Sequence, residues 1–139
     1  MLPITQQITS EMDVLYGLYQ LAIDYTSKIH PEKEVDNVKW LDTRQRILGK
    51  TAVVAQNAAE LLKDFKTINN VPANERALIE EKKNLINDTL GRMRMKEIDV
   101  MKIMSSKMKS LRGELANITQ RKKAAHAYIT APRATMTVS

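Results

Sequence analysis

No cysteine occurs among the 139 residues, which removes disulfides, thiolate metal sites and cysteine nucleophiles from consideration. Glycine and proline number only four each, and the aromatics are six: Trp40, Phe65, Tyr16, Tyr19, Tyr25 and Tyr128. Strands and their turns draw on these residue types, so their scarcity argues against a β-sandwich or barrel. The two histidines stand apart, His30 before a proline and His126 near the C-terminal end, and neither has a metal-ligand spacing. No uncharged run approaches the ~20 residues of a spanning helix; the longest internal one covers residues 14–23. The opening residues, Met1 to Gln7, contain neither a basic segment nor an apolar one, which predicts a cytoplasmic chain without a membrane span.

What the chain does have is helical periodicity. Ile8, Met12, Leu15, Tyr19, Ala22 and Ile29 fall at steps of three, four and seven, and Leu18, Leu21 and Tyr25 widen the stripe. Pro3 suits a first helical turn, and His30-Pro31 closes the helix because the residue before proline avoids the α region. A second helix is predicted from about Pro31 or Asp36 to about Asn69. Its seam is Leu41, Leu48, Ala52, Ala55, Ala59 and Leu62, flanked by Ile47, Val54, Ala58, Leu61, Phe65 and Ile68. Asn69-Asn70-Val71-Pro72 reads as a turn. A third helix follows from about Pro72 to about Tyr128, with a bend expected near Gly91. Its late seam of Met104, Met108, Leu111, Leu115, Ile118 and Ala125 is heptad-like. The expectation is an all-α antiparallel bundle of three to four helices with a long C-terminal helix. One domain spans residues 1–128, and residues 129–139, with Pro132, form a flexible tail.

The net charge of +6 is not evenly spread. Residues 1–73 hold eight basic and nine acidic side chains, whereas residues 74–139 hold fourteen basic and seven acidic ones. The second half of the third helix is therefore a basic amphipathic segment.

Catalytic constellations are hard to assemble from these residues. Gly49-Lys50-Thr51 matches the end of a phosphate-binding loop, but Arg44 stands where that motif needs glycine and the context is helical. No metal, cofactor or enzymatic activity is expected. Binding is the better class. Met93, Met95, Met101, Met104 and Met108 cluster on the third helix beside basic residues, and such a surface suits an amphipathic segment carrying acidic residues. Nucleic acid is disfavoured because no aromatics are interleaved with the basic residues for base stacking. A self-associating coiled-coil adaptor, for example a homodimer, is the alternative that the late seam permits.

The stretch from Leu111-Arg112 through Leu115 and Ile118 to Arg121-Lys122-Lys123, Ala124-Ala125 and Tyr128 resembles the C-terminal helix of FliT-type flagellar export chaperones. Upstream, Trp40 to Leu48, with Arg44-Gln45-Arg46 before the apolar pair Ile47-Leu48, is similar to that family's second helix. The related FlgN-type group shares these patterns. The resemblance covers about residues 8–128 and implies a cytosolic helical bundle that binds the C-terminal segment of a flagellar axial protein, such as the filament-cap or a hook-associated protein. Such a chaperone prevents premature assembly and docks on the export ATPase complex. Carried over, Leu41, Leu48, Ala55, Leu62, Leu90, Met93, Met101 and Met104 would form the substrate groove. Met108, Leu111, Leu115, Ile118, Arg121, Lys122, Lys123 and Tyr128 would form the regulatory or docking helix. The basic balance departs from the acidic character of many secretion chaperones.

Overall fold

The computed structural model describes the backbone of residues 1–138 and all side chains except those of Glu34, Val35 and residues 129–139. It contains three helices: α1 (Pro3–Lys28), α2 (Glu34–Phe65) and α3 (Ala73–Val138). No strand occurs among the described residues. The chain is thus all-helical, and its last helix is the longest at 66 residues.

Local chemistry sets the boundaries. Pro3 occupies the first turn of α1, where a missing N–H is not needed. Between α1 and α2, the Lys33 amide donates to the His30 carbonyl, and Asp36 accepts from the His30 amide across the turn. After α2, Asn70 adopts a positive φ of 61°, a left-handed conformation that asparagine tolerates better than most residues. The Pro72 carbonyl then accepts from the amides of Glu75 and Arg76, starting α3. Glu75 in that first turn complements the helix dipole and accepts from the Leu2 amide at 2.7 Å.

The chain divides into two compact units, Met1–Met101 and Lys102–Ser139. The first contains the core. Leu15, Tyr19 and Ala22 of α1 meet Ile47 of α2 and Met93 of α3 in one cluster, with Leu48, Val54, Ala55, Ile86 and Leu90 against it. A second cluster joins Ile8 and Met12 to Ile79, with Ile4, Leu61, Leu62 and Phe65 packed on it. Each fully buried aliphatic side chain contributes about 1.5–3 kcal/mol relative to exposure.

The buried row of α1 is the predicted one. On α2 it is not: Trp40, Ile47, Thr51 and Ala58 are buried, while Leu41, Ala52 and Ala59 are exposed or only partly covered. The expected flanking row therefore faces inward, because it includes the larger Ile47, Leu61 and Phe65 and can place Trp40 in the core. Trp40 is among the most buried side chains, and its Nε1–H donates to the Thr26 hydroxyl at 2.9 Å. α3 runs uninterrupted through Gly91, and its backbone stays helical to Val138 instead of ending near Tyr128.

The second unit is a single helical segment. Over residues 102–128 every side chain is exposed except Met104 and Lys107, which are half-buried. An isolated helix of this length has little to hold it in water, but extending an existing helix avoids the nucleation cost.

Candidate functional site: the apolar row of α3

The eight residues expected to form a groove are divided between core and surface. Met93 is buried; Leu48, Ala55 and Leu90 pack against the same cluster, and Leu62 packs against the second. Met104 is half-buried, and only Leu41 and Met101 are exposed. These side chains do not line one open face. The docking-helix residues are placed differently. Met108, Leu111, Leu115, Ile118 and Tyr128 are all exposed, with Leu115 63% and Tyr128 81% accessible, and Arg121, Lys122 and Lys123 are exposed beside them.

The α3 members of the first set, Leu90, Met93 and Met104, share one helical row with Met108, Leu111, Leu115 and Ile118. Ile79, Ile86, Met93 and Val100 recur at steps of seven on the inward face of α3, with Leu90 and Glu97 filling intermediate turns. The same spacing continues in the sequence through Met104, Met108, Leu111, Leu115 and Ile118. Up to Val100 the row is covered; from Met108 onward it is bare.

A polar cluster marks the end of the covered part. Glu97 is buried, and its two carboxylate oxygens accept from Arg44 Nε at 2.8 Å and from Nη2 at 2.9 Å. This bidentate geometry is the strong form of a guanidinium–carboxylate pair. The Arg44 guanidinium also lies over the Trp40 ring, 5.8 Å from its centroid. Its hydrogen bond to Glu97 raises the Arg44 pKa above its ordinary value, against the opposing effect of burial. Nearby in the first core cluster, burial raises the Tyr19 phenol pKa, an effect that the Arg94 charge partly offsets. Sequence reading missed Glu97, Thr26 and the inward role of Trp40. The one available signal was that Glu97 interrupts an apolar row at a core-facing step.

Elsewhere the surface offers less. A cleft of about 730 Å³ between α1 and α2 is lined by Gln6, Gln7, Ser10, Glu11, Asn57, Glu60 and Asp64 among others. It is shallow and acidic, with neither histidine nor a basic group among its lining residues. Among the described residues no group of side chains is arranged to hold a metal ion, and no helix is long and apolar enough to cross a membrane. Comparison with known protein families, curated proteins and solved structures finds no match to this chain.

Proposed function

We propose that this protein is a helical binding protein that shields an amphipathic segment of another protein, in the manner of the flagellar export chaperones it resembles in sequence. In this reading residues 1–101 form an antiparallel three-helix bundle that presents α3, and the chaperone acts in the cytoplasm without catalysing a reaction. The observation that carries it is the bare row of Met108, Leu111, Leu115 and Ile118, a run of large apolar side chains exposed on one helix face. Amphipathic helices are recognised through anchors at this spacing. A segment that orders only on binding gives up entropy, which keeps the complex releasable, as delivery to an export apparatus requires.

The test is retention of flagellar axial proteins on the immobilised full chain. The C-terminal segment of a filament-cap or hook-associated protein is expected to bind, and the L111E/L115E variant is expected to lose it. Failure of every axial protein to bind the full chain refutes the chaperone reading.

A further inference from the structure

The charges beside the bare row narrow what can cover it. With Met108, Leu111, Leu115 and Ile118 as the inner positions of a heptad, the flanking positions hold Lys107, Glu114 and Arg121 on one side and Ser105, Arg112, Thr119 and His126 on the other. Lys122 takes the next inner position, four residues after Ile118. Across residues 102–128 there are seven Lys and Arg side chains against one acid, Glu114.

A second copy is a poor occupant on this arithmetic. Antiparallel pairing centred on Glu114 sets Lys107 against Arg121 and Glu114 against Glu114, all like-charge contacts. Parallel pairing sets Lys107 against Arg112 and leaves Glu114 opposite Thr119. Neither of these alignments forms an attractive flanking pair and both bring Lys122 to the apolar interface, while the antiparallel register that pairs Lys107 with Glu114 sets Arg112 against its own copy. A lipid surface and nucleic acid fit less well. Between Met104 and Ile118 the row has no Trp, Phe or Tyr to sit at a membrane interface or stack on bases.

We infer that the row from Met104 to Ile118 docks an acidic amphipathic helix of a partner protein, with apolar anchors at three- and four-residue spacing and Asp or Glu on its flanks opposite Arg112 and Arg121. This rests on the binding-protein reading and deepens it by assigning the partner's chemistry. The row covers 14 helical steps, about 21 Å at ~1.5 Å per residue, so the docked segment is about 15 residues long.

The experiment uses the full chain and three labelled synthetic helical peptides with one apolar pattern and flanks of Glu, Gln or Lys. Fluorescence anisotropy is expected to show the Glu peptide binding at least about tenfold tighter than the Gln peptide, with the gap closing as salt rises. The R112E/R121E variant is expected to prefer the Lys peptide. L111E/L115E is expected to lose about tenfold or more for the Glu peptide while its urea unfolding midpoint stays that of the parent chain. Equal binding of the three peptides overturns the assigned charge and leaves a binding protein of another specificity. Failure of all three to bind overturns the docking site itself, while the axial-protein experiment still decides the chaperone reading independently. A dimer by light scattering that L111E/L115E dissociates would overturn the inference by showing that a second copy covers the row. Tighter binding to anionic vesicles or single-stranded nucleic acid than to the Glu peptide would also overturn it.

Discussion

Replacing Arg44 by methionine removes both hydrogen bonds that the guanidinium donates to the Glu97 carboxylate, whose side chain is 9% exposed. Stranding a buried carboxylate costs about 3–5 kcal/mol. The low end, ~3 kcal/mol, applies because Arg44 is itself 29% exposed and water reaches its side of the pair. Loss of the guanidinium over Trp40 adds about 0.5–1 kcal/mol. The reverse substitution, Glu97→Met, is gentler. The Arg44 stem stays on the Trp40 ring while its head turns to solvent, so ~1–2 kcal/mol is expected. With both replaced, two methionines fill the space with no buried charge, and stability returns to within about 1 kcal/mol of the parent. The double-mutant cycle therefore yields a coupling of about 3.5–5 kcal/mol. Urea unfolding followed by Trp40 fluorescence measures it. At roughly 1.5 kcal/mol per molar, Arg44→Met lowers the midpoint by about 2.5 M. Additive single effects, or a larger loss from Glu97→Met than from Arg44→Met, would refute the reasoning.

Three further outcomes follow from the described geometry. Thr5 is fully buried and its hydroxyl has no hydrogen-bond partner among the described residues, so the isosteric Thr5→Val is expected to raise stability by about 1 kcal/mol in the same urea assay. The raised Tyr19 pKa means that the unfolded chain releases this proton first. Its contribution is complete below pH ~10, the ordinary tyrosine value, and is lost as pH rises through the folded value. The absorbance difference at 295 nm between parent and Tyr19→Phe is therefore expected to titrate above pH ~10, and the variant should lose less stability on alkalinisation. Gly91 lies within α3, and a Cβ there would meet nothing within 4 Å; Gly91→Ala is expected to stabilise by about 0.5–1 kcal/mol, read as a higher thermal midpoint.

How much of this was legible depended on whether side-chain volume and helical period pointed to the same row. On α1 they did: Ile8, Met12, Leu15, Tyr19 and Ala22 are both the periodic set and the buried one. The first helix stop was equally plain, because His30-Pro31 restricts the backbone locally, whereas α2 ends at Phe65, short of the expected Asn69. On α2 alanines lie on several faces, so two rows share the period and only packing separates them. Thr51, a buried polar residue, further broke the row that packing chose. The end of the core was least legible. A glutamate at a core-facing step reads as surface, and its partner Arg44 is 53 residues away, beyond any local pattern. The bare row was visible as a heptad, but the sequence did not indicate where its cover ends.

Burial falls away over two turns of α3: Val100 is buried, Met104 is half-buried and Met108 is 59% exposed. Exposed apolar runs of this kind mark interaction surfaces or associate without specificity. The flanking charges separate those outcomes, since each of these alignments of identical copies brings like charges together: Lys107 with Arg112, Lys107 with Arg121, or Arg112 with its own copy. Neutralising that repulsion is thus the direct physical control on self-pairing. Arg112→Gln with Arg121→Gln should raise any tendency to dimerise. Arg112→Glu with Arg121→Lys should raise it further in a parallel arrangement, where the introduced carboxylate would face Lys107 of the other copy. Light scattering that shows a smaller dimer fraction in the charge-complementary variant than in the parent would mean that something other than flanking charge keeps the row apart from its own copy.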